Sequence, residues 1–293
     1  MNYEKTPAGH LAAFVTILIW GTTFISTKVL LRSFSPVEIL FIRFSIGYLA
    51  LWMVCPGSLV LDSRKQEYLF AAAGLCGITM YYLLENIALT FTLASNVGVI
   101  ISIAPFFTAI LNCLFLGGSR PGKRFFTGFL LAMAGICFIS FGSSAALSIN
   151  PVGDVLAVAA AVIWAVYSTL TKKISALGYG TIQTTRRTFF YGILFMVPAI
   201  LIMDFHVTLD RIINPLNLCN LLFLGLGASA LCFVTWNLAV KLLGSVRTSV
   251  YIYMVPVITT VSSAIILKEP VTITAVCGIL LTLAGLFLSE RRS

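Results

Sequence analysis

An acidic side chain, Glu85, lies inside a long apolar stretch of the sequence and has two tyrosines beside it. Tyr81 and Tyr82 precede Glu85 by four and three residues, so a helix places the three side chains on one face. Asn86 follows directly. An ionisable group deep in an apolar segment is costly and indicates a functional residue by default. We therefore predict that Glu85 takes part in coupling or gating by gaining and losing a proton, and that Tyr82 and Asn86 contact a bound molecule.

Two basic residues, Arg43 and Lys28, are expected near Glu85. With a helical rise of 1.5 Å per residue, Glu85 lies ~9 Å from the end of its segment, and Arg43 lies ~10 Å from the start of the preceding one. Both depths are counted from the same side, and Lys28 lies slightly closer to it. We expect Glu85 and Arg43 to form a charged cluster that Lys28 joins. Alternatively, Lys28 extends its ammonium group to the membrane surface.

A second basic pair, Arg187 and Lys172, repeats Arg43 and Lys28 at a shift of 144 residues. The position that matches Glu85, at a shift of 151, is Trp236, so an ion pair is expected around Arg43 and not around Arg187. The second pair is predicted to act in gating and to attract a carboxylate or phosphate. Alternatively, Lys172 reaches the membrane surface and Arg187 binds lipid headgroups.

Two tryptophans, Trp20 and Trp164, lie near the middle of their apolar segments, although tryptophan usually prefers the membrane interface. They match at the same shift of 144. We predict that both rings face the interior and that at least one lines a binding cavity. The alternative is that they are bulky packing residues between the two copies.

Two prolines, Pro105 and Pro256, also match, at a shift of 151, and each falls near the middle of a segment. A proline leaves a helix carbonyl unpaired, and matched interruptions point to a central binding site. A packing kink is the alternative. Asn96, Tyr251 and Tyr253, early in the two proline-bearing segments, are weaker candidates for binding. Asn237, which matches Asn86 at a shift of 151, is a further candidate.

The composition places the chain in a membrane. Of its 293 residues, 59% are hydrophobic and 10% are charged, against about 25% charged in soluble domains. The net charge of +9 comes mostly from short connections, so it indicates topology and not a nucleic-acid partner. We see no phosphate-binding loop, zinc-ligand spacing or nucleophile elbow, and no Cys-x-x-Cys pair among the seven cysteines. No cofactor, metal or enzymatic activity is expected.

Ten apolar segments have the roughly 20 residues that a membrane-spanning helix needs. The sequence therefore predicts an all-α membrane protein with ten transmembrane helices, at residues 11–31, 36–55, 68–91, 94–116, 123–142, 154–172, 182–203, 217–240, 246–267 and 270–288.

The matches at shifts of 144 and 151 divide the chain into two five-helix repeats, residues 1–145 and 146–293. Because five is an odd number, the second repeat enters the membrane with the opposite orientation, as in inverted-repeat transporters. With both termini in the cytoplasm, twelve Lys and Arg residues lie on the cytoplasmic side and four on the other, which favours that orientation. Small residues at heptad spacing are predicted to let two helices pack closely, namely Gly128, Ala132, Gly135, Gly278, Thr282 and Gly285.

Several short motifs resemble the drug/metabolite transporter superfamily of the EamA type. They are Ile-Trp-Gly-Thr-Thr-Phe at residues 19–24, Pro36 with Arg43-Phe44, Ala-Leu-Thr-Phe-Thr-Leu-Ala-Ser at residues 88–95 before Pro105, and Leu-Gly at residues 116–117. The second copy keeps the order and has Leu-Lys-Glu-Pro at residues 267–270, where the family usually carries a glutamate. The first copy has Gly-Gly-Ser at residues 117–119 instead. The resemblance implies a single-chain, ten-helix carrier, often an exporter of amino acids or related metabolites.

We therefore predict a multi-pass secondary transporter of a bacterial-type inner membrane. It exports a small amphiphilic metabolite, such as an amino acid, by alternating access around a midplane cavity. A proton or counter-substrate is a further partner, and the protein acts as a monomer or homodimer. The alternatives are an exchanger or importer of a nucleotide-like or phosphorylated metabolite and, more distantly, a membrane receptor that does not transport.

Overall fold

The computed structural model of the protein describes residues 7–92, 94–118, 121–142, 150–203, 205–266 and 272–290. Within these ranges the regular structure is helical and contains no strand. The helices are α1 Pro7–Leu30, α2 Pro36–Val54, α3 Arg64–Phe91, α4 Ala94–Ile101, α5 Ala104–Leu116, α6 Lys123–Gly142, α7 Pro151–Ser175, α8 Thr181–Ile202, α9 Leu209–Ile213, α10 Pro215–Leu243, α11 Ser245–Val250, α12 Met254–Ile266 and α13 Ile273–Glu290.

Seven helical segments in the described ranges are long and apolar enough to cross a membrane. They are α1, α2, α3, the joined α4 and α5 from Val97 to Leu116, α7, α8 and α10. The chain is thus an all-helical, multi-pass membrane protein. The count of ten spans and the cytoplasmic position of both termini stay predictions.

Helix starts follow local capping signals. Ser35 precedes Pro36 and forms a capping box with Glu38, in which the Ser35 N–H donates to Glu38 Oε2 at 2.8 Å. Glu38 Oε1 also accepts the backbone N–H of His206 at 2.6 Å, which ties α2 to the segment before α9. Asn150 caps α7 through the N–H of Gly153. These side chains satisfy backbone donors that a helix start leaves open.

We call the end of the bundle where α1 begins the proximal end, and the end where α1 finishes the distal end. At the distal end, Lys28 Nζ donates to the carbonyl oxygens of Leu89 and Thr92, at 3.2 and 3.3 Å. Asn150 Nδ2 donates to the carbonyl oxygen of Phe91 at 2.9 Å. Therefore α3 finishes and α7 begins at the distal end.

At the proximal end, the segment between α7 and α8 packs on the segment between α2 and α3. The Tyr179 hydroxyl lies 2.9 Å from an Asp62 carboxylate oxygen. Arg186 donates to the carbonyl oxygens of Cys55 and Gly57 just beyond the end of α2. A guanidinium at this position donates hydrogen bonds to carbonyls that lack partners within the helix, and its positive charge interacts favourably with the negative end of the α2 dipole.

Helix packing follows the internal repeat. α1 packs on α10 and α12, while α7 packs on α3 and on α4 and α5. α3 contains a π-helical stretch, Leu75–Met80, and α10 contains one at the matching position, Phe223–Leu231. α8 packs on the first stretch and α2 on the second. A Cβ at Gly74 would lie 2.7 Å from the Thr188 carbonyl oxygen, and one at Gly225 would lie 2.6 Å from Ile46, so both contacts require glycine.

The small residues at heptad spacing bring α6 and α13 into backbone contact. A Cβ at Gly135 would lie 2.6 Å from the Gly278 carbonyl oxygen, and one at Gly285 would lie 2.6 Å from that of Gly128. The prediction of close packing is confirmed, and this packing lies within the chain.

Candidate functional site

The tryptophan rings meet at the centre of the bundle. Trp20 of α1 and Trp164 of α7 have ring centroids 5.2 Å apart, and each packs on Trp236 of α10, at 5.1 and 5.7 Å. Phe233 adds a ring 5.8 Å from Trp20. The expectation that Trp20 and Trp164 face the interior is confirmed, because Trp164 is 2% exposed and Trp20 donates from Nε1 to the Ala228 carbonyl oxygen at 2.9 Å.

A cleft lies on the distal side of these rings, and its empty space, including the part open to solvent, is about 440 Å3. Its aromatic wall consists of Trp20, Phe24, Tyr81, Tyr82 and Trp164. The rest of the lining comes from Thr23, Glu85, Ile101, Ile252 and Val255. Concave, mostly apolar sites with a few polar groups are typical of small-molecule binding.

Glu85 is the acidic member of this lining and is 5% exposed. Tyr81, one helical turn earlier on α3, lines the cleft beside it. Trp164 Nε1 is buried and has no hydrogen-bond partner among the described residues. The cleft wall therefore holds a carboxylate, a group that a polar ligand can use, and one of its rings carries an N–H without a partner among the described residues.

Arg43 and Glu85 do not form the predicted direct ion pair, so that contact was predicted wrongly, although the two charges still interact at longer range. Arg43 is 2% exposed and donates from Nε to Ser229 Oγ at 3.0 Å. Its guanidinium carbon lies 4.4 Å from the centroid of the Tyr82 ring and 5.1 Å from that of Phe44. α2 packs on the π-helical stretch of α10, and this packing brings Arg43 to Ser229.

Lys28 does not join a cluster with Glu85 either. It caps the distal end of α3 through the carbonyl oxygens of Leu89 and Thr92. Carbonyls at a helix end lack partners within the helix, and a lysine there satisfies them.

The expectation that Arg187 has no acidic partner is also wrong. Arg187 forms an ion pair with Glu67 near the start of α3, and Tyr191 donates to the same carboxylate at 2.6 Å. The predicted span began at residue 68, which left Glu67 outside the search for intramembrane partners. Lys172 lies in the last turn of α7, where its carbonyl oxygen accepts from Ser175 Oγ at 2.8 Å.

The two asparagines lie outside the cleft. Asn86 is fully buried and donates to the Pro36 carbonyl oxygen at 3.3 Å, while its own Oδ1 has no partner among the described residues. Asn237 accepts the Tyr167 hydroxyl and donates to Thr185 Oγ1, both at 2.9 Å. Both residues link helices to one another.

Both predicted helix interruptions are present. α4 and α5 are separated at residues 102–103, just before Pro105, and the 3-10 turn Tyr251–Tyr253 comes just before α12 and Pro256. Tyr251 hydrogen-bonds to His10 at 2.6 Å and does not line the cleft. The side chain of Asn96 and the Leu-Lys-Glu-Pro turn at residues 267–270 lie outside the described residues.

Sequence reasoning missed the apolar residues that flank these interruptions, Ile101, Ile252 and Val255, and it missed Thr23 and Phe24. A signal existed for the last two, because they follow Trp20 at helical spacing of three and four residues. It also missed a second cavity with an empty volume of about 330 Å3, which we call the proximal cavity. The proximal cavity is lined by the hydroxyl-bearing residues Thr171, Ser175, Tyr179, Thr181, Thr184 and Thr188, together with Ile174, Asn237 and Lys241.

The fold and the cleft define a polytopic membrane protein that can hold a small molecule among its helices. The model of the EamA-like transporter family matches residues 7–141 and again residues 151–291. The chain therefore belongs to the EamA-like transporter family, within the drug/metabolite transporters, and is a membrane transporter.

Known proteins resemble it over nearly its whole length. An "Uncharacterized transporter" of Archaeoglobus fulgidus is 31% identical to this chain, and the match covers 97% of each of the two sequences. A "Probable terminal-alkyne amino-acid exporter" of Streptantibioticus cattleyicolor is 26% identical over 96% of this chain and 93% of its own. A solved crystal structure superposes with a TM-score of 0.76 at 19% identity, covering 97% of this chain and 96% of that one, which supports the fold alone.

Proposed function

We propose that this transporter is a secondary carrier that exports a small amphiphilic metabolite, such as an amino acid, by alternating access around the central cleft. The observation that carries the proposal is the cleft itself, whose aromatic wall surrounds one buried carboxylate, Glu85. The rings offer a surface for an apolar group. Glu85 offers a site for a proton or for an ammonium group. The exporter of Streptantibioticus cattleyicolor supports an amino-acid cargo by similarity.

Two repeats of opposite orientation, residues 1–145 and 146–293, are part of this proposal. The family model matches each half once, and equivalent helices exchange packing partners between the halves. We place the proximal end in the cytoplasm of a cell with a bacterial-type inner membrane, because the basic residues are concentrated on that side. Alternating access then exposes the cleft to either side as one repeat moves against the other.

A phosphorylated or nucleotide-like cargo is the less favoured alternative. For that cargo the basic residues matter most, with Arg187 and Lys172 expected to attract the phosphate. Arg187 is held by Glu67 and faces Tyr191, with its guanidinium carbon 5.8 Å from the ring centroid. We therefore retain the amphiphilic metabolite as the proposed cargo.

The test is uptake of radiolabelled amino acids into inverted membrane vesicles, with and without a pH gradient. Wild-type protein is expected to drive uptake that rises with the gradient. Glu85→Gln keeps the shape of the side chain but removes the charge, so uptake is expected to lose its response to the gradient. Asp210→Asn is the matched control, because Asp210 is an exposed carboxylate on α9. Unchanged uptake and unchanged gradient dependence in Glu85→Gln would end the coupling role of Glu85.

A further inference from the structure

The proximal cavity and the cleft lie on opposite sides of a thin wall of side chains. Asn237 lines the proximal cavity and accepts the Tyr167 hydroxyl at 2.9 Å. The Tyr167 ring lies 5.0 Å from the ring of Trp164, which lines the cleft. Two aromatic side chains therefore separate the two cavities, and the proximal cavity lies on the route between the proximal end and the cleft.

Three hydroxyl groups of the proximal cavity, those of Ser175, Thr184 and Thr188, already donate their hydrogens to backbone carbonyls. Thr184 Oγ1 donates to the Thr181 carbonyl oxygen at 2.9 Å, and Thr188 Oγ1 donates to that of Thr184 at 3.0 Å. Ser175 Oγ donates to the carbonyl oxygen of Lys172 at 2.8 Å. A hydroxyl has one hydrogen and two lone pairs, so each of these oxygens is left as an acceptor. The ligand that suits them is a donor with several N–H bonds, such as an ammonium group.

Lys241 gives the same cavity a positive charge with no acid to balance it. It lies in the last turn of α10 and is half-buried. Its ammonium group has no hydrogen bond or ion pair with the residues that the structure describes, and the cavity lining contains no carboxylate. A cation in such a pocket favours a ligand anion, and charge-assisted hydrogen bonds to a carboxylate are the strong kind.

The polar lining is not a by-product of the duplication. The first-repeat positions that match Thr184 and Thr188, at a shift of 144, are Leu40 and Phe44, and both are fully buried in the apolar core. The position that matches Lys241, at a shift of 151, is Thr90. The second repeat therefore has hydroxyls and an ammonium group where the first has apolar side chains and a threonine.

We propose that the proximal cavity is a second substrate subsite that recognises a zwitterionic head group. Lys241 binds the carboxylate, and the oxygens of Thr184, Thr188 and Ser175 bind the ammonium group of the same small molecule. The inference rests on the proposed function as a metabolite exporter and extends it by naming the head group and the place where it first binds.

The test measures binding of three probes to purified full-length protein by isothermal titration calorimetry. L-Leucine carries both charged groups, 4-methylpentanoate lacks the ammonium, and 3-methylbutylamine lacks the carboxylate. Lys241→Gln is expected to weaken L-leucine and 4-methylpentanoate by about tenfold and to leave 3-methylbutylamine unchanged. Thr184→Val keeps the side-chain shape and is expected to weaken L-leucine and 3-methylbutylamine by a similar factor, but not 4-methylpentanoate.

Lys65→Gln is the matched control, because Lys65 is an exposed lysine near the start of α3, also at the proximal end. This variant is expected to bind all three probes as the wild type does. Thermal melts and elution volumes check that each variant is folded. Equal effects of Lys241→Gln on all three probes, no effect on any, or no binding of any probe by the wild type would overturn the inference. The vesicle uptake assay with wild-type protein tests the proposed function separately, so a failure of the subsite can be told apart from a failure of the proposed function.

Discussion

Arg43 and Arg187 occupy equivalent positions in the two halves of the sequence, yet they hold their helices in different ways. Arg43 is 2% exposed and has neutral partners, the Ser229 hydroxyl and the rings of Tyr82 and Phe44. The Arg187 side chain is 35% exposed and pairs with Glu67, whose side chain is 29% exposed.

The comparison predicts where the bundle opens. Separating the distal contact between α2 and α10 breaks a buried charge-assisted hydrogen bond and two cation–π contacts of Arg43. The proximal contact between α8 and α3 is an ion pair that water already reaches, and such pairs contribute little to stability. We expect the proximal contact to break and reform more readily than the distal one.

The largest effect on stability is expected from Arg43→Met. This change removes a buried charge-assisted hydrogen bond and two cation–π contacts, and should lower the free energy of unfolding by about 3 kcal/mol. Arg187→Met is the matched variant and should lower it by less than about 1 kcal/mol. Thermal unfolding of the purified proteins in detergent measures both. Equal losses for the two variants would contradict the comparison.

A second difference between the halves concerns Tyr167, which matches Thr23 at a shift of 144. Thr23 lines the open cleft, whereas the Tyr167 ring packs directly over Gly77 in α3. Gly77→Ala adds a methyl group where that ring lies, so we expect a destabilisation of about 2 kcal/mol from overpacking. Gly98→Ala is the control, since nothing lies within 4 Å of its added Cβ. If Gly77→Ala melts at as high a temperature as the control, the Tyr167 ring does not occupy the space beside Gly77.

The smallest effect is expected for the Arg187–Glu67 pair itself. A double-mutant cycle with Arg187→Gln and Glu67→Gln should give a coupling energy below about 1 kcal/mol, and it should shrink in 1 M salt. The destabilisation by Arg43→Met should not change with salt, because that site is buried. A large, salt-independent coupling between Arg187 and Glu67 would show that the proximal contact is as rigid as the distal one.

The sequence predicted much of the helix pattern and part of the site. Hydrophobic length located the seven spans that the described residues show. The internal matches indicated that Trp20 and Trp164 lie together at the centre, where the structure places them 5.2 Å apart. The heptad glycines of α6 and α13 also pack as expected. These features depend on periodicity within one helix or on the repeat, which a sequence contains directly.

The partners of the charged residues could not be predicted in the same way. Depth along a helix gives one coordinate, but the direction of a side chain around the helix axis depends on which helix packs beside it. Arg43 was expected to pair with Glu85, but its Nε donates to Ser229 on α10. Glu67 was missed because the predicted span began one residue after it, and helix ends are where sequence-based boundaries are least certain.

The central claim is that the substrate passes through the cleft, and blocking the cleft tests it most directly. Thr23→Tyr introduces into the cleft the same residue type as Tyr167, which matches Thr23 at a shift of 144. Leu18→Tyr is the control, because Leu18 is also on α1, is 41% exposed and does not line the cleft. In inverted vesicles containing equal amounts of folded protein, Thr23→Tyr should abolish amino-acid uptake and Leu18→Tyr should preserve it. Wild-type uptake by Thr23→Tyr would contradict the account.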